Sequence, residues 1–191
     1  MNKKIIQKIK SQKAVIGIIG LGYVGLPIVI KFAEKGFKVI GFDVDRIKVN
    51  KLNNGESYLH HFKNNRIKKI KRNGFQATID FSDISKVDII ILCLPTPLKK
   101  NRIPDLSYVT KTMNSIYSYL KEGQSISFES TSYPGTTEEI ILPYLKKKKF
   151  QVGKNFFLIY SPEREDPGNK NFNINNIPKI ISGYDNKSLL I

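Results

Sequence analysis

Ala14-Val-Ile-Gly-Ile-Ile19, Gly20-Leu-Gly-Tyr-Val-Gly25, Leu26-Pro-Ile-Val-Ile-Lys-Phe-Ala-Glu-Lys-Gly36 and Lys38-Val-Ile-Gly-Phe-Asp43 follow one another almost without interruption. The first is a short uncharged run with the length of a buried strand. The second is a turn of the pattern G-x-G-x-x-G, at Gly20, Gly22 and Gly25. In the third, Leu26, Val29, Ile30 and Ala33 recur at i, i+3, i+4 and i+7, which makes one apolar face of a helix. Pro27 falls in the first turn of that helix, where a missing N–H costs little, and Gly36 suits its end. The fourth run is a second strand that closes on an acid. Strand, glycine turn, helix and strand predict a βαβ unit.

Each glycine of the turn has a separate task in such a unit. Gly20 permits the tight turn, Gly22 lets the backbone approach a pyrophosphate, and Gly25 lets the helix pack close to the strand. The phosphates would lie on the free N–H groups and the positive dipole end of the helix. Asp43, at the end of the second strand, can accept hydrogen bonds from the 2′- and 3′-hydroxyls of a ribose and would repel a 2′-phosphate. That favours NAD over NADP, with Arg46 and Lys48 nearby pulling the other way. The alternative is a glycine turn that binds nothing. Residues 14–30 carry no charge and follow a basic start, which is the outline of a signal peptide or a membrane span. Four glycines and a proline interrupt the run; it is shorter than the ~20 apolar residues of a span, and no small-residue cleavage site follows. The expectation is a cytoplasmic protein with no membrane partner, residues 1–12 forming a basic, frayed lead-in.

At 191 residues the chain can bury one good core. The single Cys93 excludes a disulfide framework and a cysteine-based metal cluster. His60 and His61, expected on the surface, are too few for a metal site. The net charge of +16, with basic runs at residues 63–72 and 146–149, fits nucleic-acid binding, solvated helix surfaces or attraction of a polyanionic nucleotide. The runs lack aromatic interleaving and any nucleic-acid motif, so no nucleic-acid partner is expected.

Further along, residues 44–54 and 59–73 read as helices, the second with Phe62, Ile67 and Ile70 inward. Residues 75–79 alternate like a strand, and residues 82–86 make a short turn or helix. Asp88-Ile-Ile-Ile-Leu-Cys-Leu94 is a continuous apolar run, as expected of a central parallel strand buried on both faces. Asp105 can cap a helix with Leu106, Val109, Met113, Ile116, Tyr117 and Leu120 at helical spacing, closed by Gly123. Residues 125–129 and 156–160 read as strands. Between them, Thr136-Thr-Glu-Glu139 is a capping-box pattern opening a helix that Pro143 shortens or bends. Residues 179–182 suggest a last strand. This alternation predicts an α/β, Rossmann-type, doubly wound and mainly parallel sheet.

The unusual residues follow the C-terminal ends of predicted strands, the edge at which open α/β sheets bind ligands. Gly20 to Gly25 follow the first strand and Asp43 the second. Pro95 and Thr96 follow the central one, and Ser130-Thr131 and Ser161-Pro162-Glu163 the next two. Singly, Thr96 between prolines also fits a rigid connection and Thr131 a cap. Their joint placement on one edge is the stronger signal.

Gly20-Leu-Gly-Tyr-Val-Gly-Leu-Pro27, Leu94-Pro-Thr-Pro-Leu98, Pro104-Asp-Leu-Ser-Tyr108, Glu129-Ser-Thr-Ser-Tyr-Pro-Gly-Thr-Thr-Glu-Glu139 and Tyr160-Ser-Pro-Glu-Arg-Glu-Asp-Pro-Gly-Asn169 together resemble the nucleotide-sugar 6-dehydrogenases. The likeness is greatest to the UDP-N-acetylglucosamine branch, with the UDP-glucose and UDP-N-acetylmannosamine enzymes as relatives. It runs from about residue 13 to residue 183. The resemblance implies an oxidoreductase of polysaccharide biosynthesis that takes the C6 alcohol of a UDP-sugar to a carboxylate by two hydride transfers to NAD, through a cysteine thioester. By position, Gly20, Leu21, Gly22, Tyr23, Val24 and Gly25 would hold the pyrophosphate, Asp43 the adenosine ribose, and Lys48 would lie beside that ribose. Pro95, Thr96, Ser130 and Thr131 would line the nicotinamide side. Thr131 would also hydrogen-bond the reacting oxygen or water, and Glu163 would serve as acid/base for thioester hydrolysis. The run Glu163-Arg-Glu-Asp-Pro-Gly departs from the spacing of the UDP-glucose relatives, so neither Glu165 nor Asp166 is assigned.

The resemblance also implies that residues 13–183 form an NAD-binding domain and that residues 184–191 begin a connecting helix. A middle domain and a second Rossmann-like domain would supply the nucleophilic cysteine, a lysine and asparagine for the oxyanion, most of the UDP site and the contacts of a homo-oligomer. Cys93, inside the apolar run, is expected to be inert packing. Such a chain would bind NAD but lack turnover by itself. The alternatives are a non-catalytic dinucleotide-binding module or remnant acting with a partner subunit, and a simple two-electron hydroxyacid dehydrogenase.

Overall fold

The computed structural model describes residues 2–60, 62–100, 102–162 and 178–191. Helix α1 (Asn2–Lys10) precedes strand β1 (Val15–Ile19), helix α2 (Gly25–Glu34) and strand β2 (Lys38–Phe42). Helices α3 (Arg46–Asn53) and α4 (Asn64–Arg72) lead to β3 (Gln76–Thr78), and a 3₁₀ turn at Phe81–Lys86 leads to β4 (Ile89–Leu92). Then come α5 (Ser107–Ile116), β5 (Ser125–Phe128), α6 (Leu142–Lys147), β6 (Phe157–Tyr160), β7 (Ser182–Gly183) and α7 (Asn186–Leu189).

The strands form one sheet in the order β3-β2-β1-β4-β5-β6-β7. Strands β1 to β6 are mutually parallel, and β7 runs antiparallel to β6. Strand β4 shows why the apolar run of residues 88–94 has no polar alternation. Successive side chains of a strand point to opposite faces. Ile89 and Ile91 join the core that holds Val29 and Ile30 of α2, Leu52 of α3 and Ile67 and Ile70 of α4. Ile90 and Leu92 join the core that holds Val109, Met113 and Ile116 of α5 and Leu142 and Leu145 of α6. With helices on both faces, Ile90, Ile91 and Leu92 are buried and only Ile89, at the start of the strand, is partly exposed. The order reverses between β1 and β4, both of which extend outward from this point, and a crevice opens there at the C-terminal edge.

Several expected boundaries shift. Most of the expected lead-in is helix α1, Asn2–Lys10, not a frayed segment: Ile5 is buried, Ile9 packs on the core, and the Lys8 ammonium lies 2.6 Å from Asp88. Helix α3 starts at Arg46 because Asp45 accepts from the N–H groups of Ile47 and Lys48. Helix α4 starts at Asn64; before it, Ser57 accepts from Leu59 N–H and donates to Leu59 O, holding a turn. Asp105 accepts from Ser107 N–H at 3.0 Å from outside α5, and a 3₁₀ turn at Tyr117–Tyr119 takes over where the longer helix was expected.

The capping box does not form. Thr136 Oγ1 donates to Tyr133 O, Glu139 accepts from Tyr133 OH, and a π-helical turn (Thr137–Ile141) precedes α6. Pro143, without an N–H, falls at the start of α6. The last strand is Ser182–Gly183, and Lys179 lies outside it. Residues 184–191 contain a single helical turn capped by Asp185, with buried Ser188 accepting from Leu158 N–H. His60 is exposed, while His61 lies outside the described residues. Lys68, Lys69 and Arg72 of the basic run are exposed on α4. No helix among the described residues is long and apolar enough to cross a membrane.

Candidate functional site

The parallel ladder extends past the strand ends and so aligns four loops. Gly20 N–H donates to Phe42 O, Cys93 N–H to Ile19 O, and Glu129 N–H to Leu92 O. Above them lies a cleft of about 770 Å³, a size suited to a small ligand. Gly20, Gly22, Tyr23, Val24, Asp43, Lys48, Pro95, Thr96, Ser130 and Thr131 line it. Among the residues expected at a site, Leu21 and Gly25 are buried away from the cleft wall, and Glu163 lies outside the described residues. Its neighbour Ser161 is buried and does not line the cleft; Ser161 N–H donates to Phe128 O.

The three glycines of the turn differ physically. Gly20 has φ +93°, and a Cβ there would lie 2.2 Å from Cys93 O, so both conformation and space demand glycine. A Cβ at Gly25 would lie 1.8 Å from Gly20 O and 3.3 Å from Ile18, which is helix packed directly on strand. A Cβ at Gly22 would meet nothing within 4 Å. The protein leaves that volume open on the cleft wall at the head of α2, the positive dipole end of the helix, where Leu26 N–H donates to Gly22 O and Ile28 N–H to Val24 O. A pyrophosphate fits that space and that field.

Asp43 directly follows β2 and is 7% exposed. Its Oδ2 accepts from Leu21 N–H and its Oδ1 from Asp45 N–H, each at 2.9 Å. A carboxylate has about four acceptor sites, so these two bonds leave capacity for a diol. Lys48 Nζ stands 3.8 Å from Asp43 Oδ2 and 5.9 Å from the centre of the Tyr58 ring. Tyr58 donates from its hydroxyl to Leu21 O. Burial, reinforced by the Asp43 and Asp45 carboxylates, pushes that phenol well above its ordinary range.

At the other end of the cleft, Ser130 Oγ accepts from Leu94 N–H at 3.0 Å and ties the β4 and β5 loops together. Glu129 is buried, accepts from Ser127 Oγ at 3.2 Å, and is ion-paired to Lys179, which returns from the far side of residues 163–177. Strand β4 ends at Leu92, so Cys93 stands one residue beyond the strand. It is buried among core residues and also borders the cleft.

Tyr58, Glu129 and Lys179 were not singled out from sequence, nor was the wall formed by α5. There Tyr108, Lys111, Thr112 and Ser115 face the cleft at i, i+3, i+4 and i+7. That polar stripe, offset from the apolar one, was readable. Glu129, the one charged residue of the expected strand 125–129 and the residue that follows β5 in the structure, was a second available signal.

The comparisons agree with this geometry. Protein CapL of Staphylococcus aureus is 38% identical over 169 residues, covering 88% of this chain and 39% of that protein. UDP-N-acetyl-D-glucosamine 6-dehydrogenase of Pseudomonas aeruginosa is 36% identical over the same shares. The crystal structure of NDP-N-acetyl-D-galactosaminuronic acid dehydrogenase from Methanosarcina mazei Go1 superposes with a TM-score of 0.81 at 33% identity, covering 96% of this chain and 42% of that one. The chain therefore spans about two fifths of the length of the relatives it matches. Residues 14–190 match a family defined by an NAD binding domain, and the chain belongs to that family, the UDP-glucose/GDP-mannose dehydrogenases.

Proposed function

We propose that this chain is the NAD-binding part of a UDP-sugar 6-dehydrogenase, with UDP-N-acetylglucosamine as the substrate its motifs suit best. The observation that carries the reading is the open volume at Gly22, beside the head of α2 and in one cleft with Asp43. Gly20, Leu21, Gly22, Tyr23, Val24 and Gly25 would form the phosphate cradle, by backbone rather than side chain. Asp43 would accept from the adenosine ribose, and Lys48 would neutralise it from the rim. Pro95, Thr96, Ser130 and Thr131 would border the nicotinamide. Bound NAD would supply the acceptor for hydride from the sugar's C6. Thr131 would donate a hydrogen bond to the reacting oxygen, and Glu163 would hold or release the proton of the hydrolytic water.

In this reading residues 13–183 act as one dinucleotide-binding domain and residues 184–191 lead out of it. Most contacts to the UDP moiety, and the nucleophile, belong to the part of the relatives' length that this chain does not span. The whole protein would work in the cytoplasm as a homo-oligomer, without a nucleic-acid or membrane partner.

Calorimetric titration of the chain with NAD, with NADP as control, tests the reading. Saturable NAD binding is expected, with NADP at least about tenfold weaker because a 2′-phosphate would meet the Asp43 carboxylate. A folded chain that binds neither would refute the cofactor site. Asp43→Ala is expected to weaken NAD by about tenfold or more, the cost of a lost hydrogen bond to a charged group. NADP should lose less, so the discrimination narrows. Unchanged affinity for both would remove Asp43 from the ribose site.

A further inference from the structure

Leu21 is held from both sides of its backbone. Its N–H donates to Asp43 Oδ2 at 2.9 Å, its carbonyl accepts from the Tyr58 hydroxyl, and its side chain is fully buried. The carbonyl of Leu21 and the N–H of Gly22 belong to one peptide unit. The described backbone has no cis peptide bond, and in a trans peptide those two groups point in opposite directions. Whatever fixes the Leu21 carbonyl therefore also fixes the Gly22 N–H. We propose that Tyr58 is a positioning residue of the cofactor site: by drawing the Leu21 carbonyl toward itself, it turns the Gly22 N–H to the side of the cleft where a pyrophosphate would lie. This rests on the reading of the cleft as a dinucleotide site.

The surroundings of Tyr58 suit that task. The turn that carries it is braced, with Ser57 N–H donating to Asn64 Oδ1 at 2.8 Å and with Leu59 buried. Lys48 flanks its ring and reaches toward Asp43. The hydroxyl must stay protonated to donate, and burial beside the Asp43 and Asp45 carboxylates raises its pKa above the ordinary phenol range, which favours that form. Tyr58 is not among the residues that line the cleft, and nothing lies within 4 Å of a Cβ at Gly22. The Tyr58 hydrogen bond reaches the phosphate end of the site through the Leu21 carbonyl.

The test separates the two ends of the site. Tyr58→Phe keeps the ring and removes only the hydroxyl. NMR titrations of wild type and variant with adenosine, ADP and NAD are compared. The variant is expected to lose about tenfold in affinity for ADP and NAD, the scale of one hydrogen bond. Adenosine, which needs no phosphate cradle, should change by less than about twofold, a small fraction of that free energy. In the ligand-free variant the Gly22 amide resonance should shift and broaden, reporting a peptide no longer held in one orientation. Equal losses for adenosine and ADP would assign Tyr58 to general support of the fold and overturn the proposal. So would an unchanged ADP affinity, or a Gly22 amide identical in the two proteins. A wild-type chain that bound neither ADP nor NAD would overturn the cofactor site itself, while the Gly22 resonance would still report on the clamp.

Discussion

Gly22→Val is expected to leave the domain folded and to abolish its affinity for NAD. The two halves of this result have separate causes. A Cβ at position 22 would meet no protein atom within 4 Å, and the residue is not among those with positive φ, so a side chain can be built there without strain. The melting temperature should therefore stay within about 2 °C, a change of less than 1 kcal/mol for a domain of this size. The branched side chain would then occupy the volume that a pyrophosphate needs, and no backbone adjustment could return it. A loss of at least about 100-fold in NAD affinity, near 3 kcal/mol, is expected by calorimetry. A folded variant that bound NAD like the wild type would show that the phosphates lie elsewhere. A variant that failed to fold would show that the protein itself needs the space.

The unit from β1 to β2 was legible in the sequence because everything that makes it is local. Its strand, turn, helix and acid lie within about thirty residues, and each announces itself by period, by glycine or by charge. The cleft was legible for the same reason, since parallel strands send all their following loops to one edge. Features that depend on distant partners were not legible. The Tyr58 hydrogen bond spans 37 positions and the Glu129–Lys179 pair spans 50, and no window of periodicity connects such residues.

Helix α1 was missed on similar grounds. Nine residues rich in lysine are too short to hold a helix by propensity alone. Burial of Ile5 and the Lys8–Asp88 ion pair supply what local sequence lacks. At the start of α6 the error was of another kind. Thr136 and Glu139 have the right spacing for a capping box, but both are engaged by Tyr133, and Pro143 forbids the regular turn that the box would open.

Gly25→Ala tests the fold in the way that Gly22→Val tests the site. One methyl is added, at the first residue of α2. Its carbon would lie 1.8 Å from Gly20 O and 3.0 Å from Gly20 C, both of them backbone. No rotamer change relieves a clash with backbone, so α2 must lift away from β1 or the glycine turn must open. Either movement disturbs the contacts of Leu26, Val29 and Ile30 with the core strands. Overpacking of this kind costs about 3 kcal/mol or more, which for a chain of this length lowers the melting temperature by roughly 10 °C. NAD affinity, measured below that melting point, should fall as well, because the head of α2 moves with the helix. The order of effects is what separates the two glycines: position 22 should lose ligand and keep stability, whereas position 25 should lose stability first. Urea denaturation of the two variants against wild type decides it. An alanine at position 25 that left the unfolding midpoint unchanged would mean that the helix is not seated on the strand as closely as a 1.8 Å clash requires.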